Sequence, residues 1–184
     1  MTRLPGLRPE TLDPDQAALY GTITGGPRAA GPQHFALTRD DGSLRGPFNA
    51  MLLAPGLGAA LQDLGAAIRY RGALTDRCRE IAILLVAARW DSDFEREAHE
   101  AVGRAAGLTD GELEGLRRED AGAFAGDEAA VARATVALLD GDLDDEAWGA
   151  SSTALGAPAI FELTTLVGYY ATLALQLRVF RVGA

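Results

Sequence analysis

Apolar residues recur at helical spacing along most of the chain after residue 46. The first stripe consists of Leu57, Leu61, Leu64 and Ile68, and the second consists of Ile160, Leu163, Val167, Tyr170, Ala174 and Leu177. Between these stripes, residues 81–88 are apolar on every side, which is typical of a buried helix. The pattern predicts an all-α fold in which the helices pack as a bundle.

Capping residues predict where these helices begin. Thr75 is a candidate N-cap for the helix that carries residues 81–88, and Asp91 or Ser92 opens the next helix. Thr109-Asp-Gly-Glu112 has the form of a capping box. Further helices are predicted over residues 127–140, over residues 144–155 and from Pro158 onward, with glycine stops at Gly107, Gly141 and Gly156.

Residues 1–46 contain five of the eight prolines, and this composition predicts a loop-rich N-terminal arm. One short helix is expected near residues 14–21. The sequence Asp41-Gly42 favours a tight turn, which predicts a small hairpin between residues 35–38 and 43–45. Because the chain has 184 residues, 48% of them hydrophobic, we expect a single domain over residues 1–184.

The net charge and the cysteine content argue against several classes of partner and of function. The net charge of -9 argues against nucleic acid or an anionic membrane surface as the main partner, and favours a small-molecule substrate. Cys78 is the sole cysteine, which excludes an internal disulfide and fits a reducing cytoplasm. Residues 163–177 carry no charge but fall short of the roughly 20 residues that span a bilayer, so a core or interface helix is expected there.

The candidate chemistry lies around Glu80, Glu95 and His99. Glu95 and His99 are spaced i,i+4, so on one helix their side chains share a face and are expected to form a hydrogen bond. Glu80 begins the apolar run of residues 81–88, and a carboxylate buried there needs a partner such as His99. Histidine suits proton transfer because its ordinary pKa lies near neutrality.

Each of these residues also has a structural interpretation. Ser92-x-x-Glu95 is itself a capping box, and Glu80 gains from the positive end of its own helix wherever it points. A metal site of Glu80, Glu95 and His99 is the weaker alternative, since one histidine gives few ligands, and neither metal nor cofactor is expected. Cys78 near a helix start is either a packing residue or a thiol with a lowered pKa.

Five short segments carry a resemblance to a known family: residues 46–52, 79–80, 94–99, 105–108 and 167–170. Together they resemble the carboxymuconolactone decarboxylase family, over about residues 40 to 180. Relatives of the alkyl hydroperoxidase D type have a Cys-x-x-Cys pair where this chain has Ser92 and Glu95, followed by a histidine that matches His99. The chain is therefore similar to a cysteine-free branch of that family.

The resemblance implies an alkyl hydroperoxidase D-like helical bundle that forms a homo-oligomer, a trimer or hexamer. It also implies a pocket between the helices of Glu80 and His99, and a cofactor-independent lyase or isomerase that acts through an enolate on a small carboxylated or lactone substrate. His99 is then the acid or base, with Glu80 and Glu95 as its orienters. Expected substrate contacts are Arg45, Asn49, Phe48, Trp90, Ser92 and His34. Arg45 is equally well explained as a solvent-exposed residue, and His34 is better explained as a solvated loop residue unless the arm folds over the site.

Two other function classes remain open at this point. One is a non-catalytic ligand-binding or assembly protein on the same fold. The other is a peroxidase-related protein, which the missing cysteine pair argues against. Glu162 and the residues after it echo Glu80 and the run after it, which indicates an internal repeat whose second copy is structural.

Overall fold

The computed structural model describes residues 2–26 and 34–182, and they form an all-α protein. A 3-10 turn at Pro9–Thr11 comes before the α-helices. These helices are α1 (Pro14–Gly25), α2 (Pro47–Met51), α3 (Pro55–Tyr70), α4 (Asp76–Arg89), α5 (Asp93–Ala105), α6 (Asp110–Arg117), α7 (Gly126–Asp140) and α8 (Asp145–Phe180).

The described residues group into two compact units. One consists of the chain up to Arg71 together with the residues from Leu175 onward, and it holds α1 to α3 and the end of α8. The other runs from Gly72 to Ala174 and holds α4 to α7 and most of α8. Whether they act as one domain, as the sequence predicts, stays a prediction.

The core of the second unit is built on α4, which packs against α5, α6 and α7. Its residues 81–87 are all buried, as the apolar run predicts. The main cluster consists of Ile81, Leu84, Leu85, Leu108, Leu113, Leu116, Phe124, Ala129 and Ala132. A helix surrounded on several sides has little surface left for water, so the polar side chains of Arg79 and Glu80 are buried with it, whereas Asp76 at its start is exposed.

Two of the predicted caps of the second unit are confirmed. The Thr75 hydroxyl accepts a hydrogen bond from Cys78 N, and Thr109 forms a full capping box with Glu112. The capping box predicted from Ser92 to Glu95 is wrong, because the Ser92 side chain makes no capping bond at the start of α5. This difference leaves Glu95 available for another role.

The long last helix, α8, is broken at Gly156, where the backbone has φ 77° and ψ 157°. Pro158 follows in the first turn of the second segment, as the sequence predicts. The predicted apolar stripe along this segment is confirmed, since Ile160, Leu163, Val167, Tyr170, Ala174 and Leu177 are all buried. Among the described helices, α8 is the one long and apolar enough to cross a membrane, and half of its most apolar stretch is buried inside the protein.

The predicted stripe on α3, in the first unit, is mostly wrong. Leu57 and Leu64 are exposed, with 66% and 39% of their surfaces open, and only Ile68 is buried. The buried face instead presents Gly58, Gln62, Gly65 and Ile68. A Cβ atom at Gly58 would clash with the Met51 carbonyl oxygen, so close approach to the end of α2 selects the glycine face.

The arm residues that the structure describes follow the predicted outline. The short helix is α1, and Asp13 and Gln16 form a capping box at its start. The predicted hairpin is reduced to a single antiparallel bridge between Thr38 and Leu44, with Gly42 at φ 79° in its turn. The section of the arm at residues 27–33 lies outside the described residues.

Candidate functional site

Glu80 and His99 meet in the interior of the second unit. Glu80 lies in the first half of α4 and is fully buried, and His99 lies on α5, which packs against it. The Glu80 Oε2 atom is 2.6 Å from His99 Nδ1, so the contact predicted between the two residues is present. Since a carboxylate accepts hydrogen bonds, Nδ1 is the donor and the contact selects the Nδ1–H tautomer.

The rest of the His99 ring has different surroundings from Nδ1. Tyr170 on α8 meets the ring edge to face, with centroids 5.1 Å apart, and is itself buried. Among the residues that the structure describes, Nε2 of His99 makes no hydrogen bond. The imidazole is therefore held at Nδ1 by Glu80 and contacted by the Tyr170 ring, while Nε2 bonds to no residue that the structure describes.

Arg79 adds a cation beside this pair. Its side chain is buried, its Nε atom is 3.9 Å from Glu80 Oε1, and its terminal nitrogen pairs with Asp76. Neither Arg79 Nε nor Glu80 Oε1 has a hydrogen-bond partner among the described residues. Arg79 therefore places a cation, and one N–H donor without a described partner, next to the Glu80–His99 pair.

Glu95 is a second buried carboxyl group on the same helix face as His99. Only 2% of its surface is exposed, and neither of its oxygens has a hydrogen-bond partner of regular geometry among the described residues. Burial raises the pKa of Glu95 to about 8, and the nearby Ser92 hydroxyl offsets only part of that rise. At neutral pH the group is therefore mainly a neutral carboxylic acid.

This geometry corrects the role predicted for Glu95. The i,i+4 hydrogen bond to His99 is wrong, because His99 bonds across to Glu80 on the neighbouring helix instead. One turn separates Glu95 from His99, so the two side chains share one face of α5. Ser92, also buried and without a hydrogen-bond partner of regular geometry among the described residues, lies one turn further back on this face.

The remaining predicted substrate contacts divide between the two units. Trp90 is half-buried at the end of α4 in the second unit. Arg45, Phe48, Asn49 and His34 belong to the first unit, where Arg45 is half-buried, Phe48 is buried and His34 is exposed. Their substrate contacts stay predictions, although one of these residues already makes two hydrogen bonds within the protein.

That residue is Asn49. Its side-chain oxygen accepts a hydrogen bond from Leu7 N at 2.9 Å, and its amide nitrogen donates to the Pro5 carbonyl at 3.0 Å. The residue is 2% exposed. Both ends of the amide therefore fasten the start of the chain to α2, which leaves at most one of the two amide N–H groups for a substrate.

The structure also bears on Cys78 and Glu162. Burial raises the pKa of the Cys78 thiol, so the lowered pKa considered for it is wrong. The Glu162 carboxylate accepts hydrogen bonds from Ala73 N and Leu74 N just before α4, whereas the internal repeat stays a prediction. Among the described residues no group of three His, Cys, Asp or Glu side chains is arranged to hold a metal.

Sequence reasoning missed Tyr170 and Arg79 as components of the site. The apolar stripe of α8 marks Tyr170 only as a core residue, and nothing in the stripe indicates which ring it meets. Arg79 is adjacent to Glu80 in sequence, which is the signal that a search for charged neighbours would use. Neither models of known protein families nor curated proteins match this chain.

Proposed function

We propose that the protein is a cofactor-independent lyase or isomerase that acts through an enolate on a small carboxylated or lactone substrate. The observation that carries this proposal is the Glu80–His99 pair, with its 2.6 Å contact at Nδ1 and no protein partner at Nε2 among the described residues. A carboxylate that holds one imidazole nitrogen makes the other a directed proton acceptor or donor.

His99 is assigned the proton transfer. With Nδ1–H fixed by Glu80, Nε2 carries the lone pair that removes a proton from carbon, and the resulting imidazolium returns a proton. Glu80 stabilises the imidazolium without itself taking the proton. Burial of the pair supports this role, because electrostatic interactions are stronger where water is excluded.

Glu95 is assigned the stabilisation of the enolate oxygen. A carboxyl group with a pKa of about 8 keeps its proton at neutral pH and so donates a hydrogen bond to an oxygen that gains negative charge. An ionised carboxylate would repel that charge. The Ser92 hydroxyl, one turn away on the same helix face, is a second candidate donor.

The reactions balance with these groups alone. In decarboxylation, the bond from carbon to the carboxylate breaks, carbon dioxide leaves, and the electron pair moves into the conjugated carbonyl group as an enolate. His99 then delivers a proton to carbon. In isomerisation, His99 removes a proton at one carbon and returns it at another. The unused Arg79 Nε–H is a donor for the substrate carboxylate, a role first predicted for Arg45 and Asn49.

The peroxidase alternative is less well supported. A dithiol cycle needs an attacking and a resolving sulfur, and the chain has the single Cys78, whose thiol is buried with a raised pKa. A purely structural role for the Glu80–His99 pair is the alternative that the experiment must separate.

The test is incorporation of solvent deuterium into a panel of small unsaturated lactones that carry a carboxylate. Decarboxylation, isomerisation and unproductive enolate formation all place deuterium on carbon, so proton nuclear magnetic resonance in heavy water detects each of them. The proposal expects protein-dependent exchange on at least one lactone. Exchange no faster than in buffer across the panel would contradict the enolate chemistry and favour a binding or assembly protein.

A further inference from the structure

A separate cavity lies in the second unit, where α7 faces the first turns of α8. Its volume is about 340 Å³, which is within the range of roughly 300–1,000 Å³ for small-molecule sites. It is lined by Ala130, Arg133, Ala134, Asp144, Glu146, Ala147, Ala150 and Ser151. None of the residues assigned above to proton transfer is among them.

Four alanines supply the apolar part of the cavity. Ala130 and Ala134 are one turn apart on α7, and Ala147 and Ala150 are about one turn apart on α8. Each projects a single methyl group, so the two helices leave a space that larger side chains would fill. A short aliphatic group fits such a surface.

Arg133 is the one basic residue in the lining of the cavity. The other arginines of the second unit, Arg77, Arg79, Arg89, Arg96, Arg104, Arg117 and Arg118, all pair with carboxylates. Arg133 has no ion pair or hydrogen bond with any residue that the structure describes. Arg133 is exposed, so its guanidinium is solvated when the cavity is empty and is accessible to a ligand.

Two carboxylates also line the cavity, but neither of them pairs with the Arg133 guanidinium. Asp144 and Glu146 come within 4.0 Å of no arginine nitrogen in the described part of the chain. Asp144 uses one oxygen to accept a hydrogen bond from Ala147 N, which caps α8. The cavity wall therefore presents positive and negative groups that are separated by a gap.

Ser151 adds a neutral polar group. It is 6% exposed, and its hydroxyl makes no hydrogen bond to any other described residue. The hydroxyl oxygen still meets solvent, so a ligand group in the cavity would take the place of a water bound to it.

We propose that this cavity binds a small zwitterion, an α-amino acid with a short aliphatic side chain. Its carboxylate pairs with Arg133 and Ser151, its ammonium group with Glu146 and Asp144, and its side chain covers the alanines. A simple carboxylate would face two like charges, and a simple amine would face Arg133. Only a ligand with both charges satisfies the two sides of the wall.

Three matched probes test this proposal: L-valine, isovalerate, which lacks the ammonium group, and isobutylamine, which lacks the carboxylate. Amide chemical shifts of the isotope-labelled full chain are followed during each titration. L-valine is expected to shift the amides of residues 130–134 and 144–151, and to bind at least about tenfold more tightly than either fragment. Arg133→Gln is expected to lose at least about tenfold in valine affinity.

Arg118→Gln is the matched control, because Arg118 is an exposed arginine outside the cavity, and it is expected to bind valine as the wild type does. The spectrum of Arg133→Gln also reports whether the variant is folded. The proposal is overturned if the cavity amides do not respond to valine up to about 50 mM. It is equally overturned if a fragment binds as well as valine, or if folded Arg133→Gln retains wild-type affinity.

Discussion

Glu95 precedes His99 by one turn of α5, yet the two side chains form no hydrogen bond, and the imidazole bonds instead to Glu80 on α4. The site thus contains two buried carboxyl groups in different surroundings. The His99 and Arg79 side chains lie beside Glu80, whereas the Ser92 hydroxyl only partly offsets the effect of burial on the pKa of Glu95. Different surroundings are how one site can give two carboxyl groups different roles.

The first prediction concerns Glu95 and pH. The pKa of Glu95 is 4.5 in the unfolded chain and about 8 in the folded protein. Below a pH of about 4.5 the residue is protonated in both states, so it adds no pH dependence to the free energy of unfolding. Between these values the unfolded state ionises first, and stability falls as pH rises, by about 5 kcal/mol in total. Glu95→Leu removes this loss. Its free energy of unfolding is therefore expected to exceed that of the wild type by an amount that grows from pH 5 to pH 8.

Chemical denaturation at several pH values measures this difference. Glu97→Leu is the control, because Glu97 is exposed on the same helix, and its difference from the wild type is expected to stay nearly constant with pH. A difference between Glu95→Leu and the wild type that does not change with pH would show that Glu95 is ionised or solvated in the folded protein.

The second prediction concerns the energetic coupling of Glu80 and His99. A buried hydrogen bond to a charged group contributes about 1.5 to 3 kcal/mol, so the variants Glu80→Leu, His99→Leu and the double variant are expected to show coupling of that size. The exposed pair of Glu114 and Arg118, treated in the same way, is expected to couple by less than about 1 kcal/mol. Equal coupling in both pairs, measured from unfolding in urea, would contradict the buried contact.

The third prediction tests the packing of α3 on α2. Because a Cβ atom at position 58 would clash with the Met51 carbonyl, Gly58→Ala is expected to lower the free energy of unfolding by at least about 2 kcal/mol. Gly56→Ala on the same helix meets nothing within 4 Å and is expected to raise it by about 0.5 kcal/mol. Thermal melting of the two variants compares them, and a Gly58→Ala protein as stable as Gly56→Ala would rule out the close approach.

Local sequence signals predicted most of the helix boundaries. Thr75 and Thr109 cap helices through hydrogen bonds to residues only three positions away, so the neighbouring sequence is enough to predict these bonds. The Glu80–His99 contact was also predictable, because a carboxylate at the head of an apolar run requires a partner and the next helix offered one.

Other features depend on contacts distant in sequence. The apolar stripe that contains Leu57 fails because the glycine face of α3 fits closer to the Met51 carbonyl than leucine side chains would. Glu95 makes neither of its predicted hydrogen bonds, because His99 bonds to Glu80 instead and the Ser92 side chain makes no capping bond. The sequence does not predict that Arg133 makes no ion pair with any described residue, because an arginine near acidic residues is expected to pair with one of them.

The fourth prediction is the central one: His99 transfers the proton, and it does so from a folded site. Replacement of a general acid or base typically costs about 100- to 10,000-fold in rate. His99→Asn keeps a hydrogen-bonding group of smaller size opposite Glu80, so the variant is expected to fold and to retain its oligomeric state, which melting and sedimentation verify. Glu97→Gln, exposed on the same helix, is the control.

The most direct measurement is the rate of deuterium incorporation into a lactone that the wild type exchanges, recorded for the wild type, His99→Asn and Glu97→Gln at equal protein concentration. The account predicts that Glu97→Gln matches the wild type and that folded His99→Asn is slower by at least about 100-fold. A folded His99→Asn protein that exchanges deuterium at the wild-type rate would contradict proton transfer by His99.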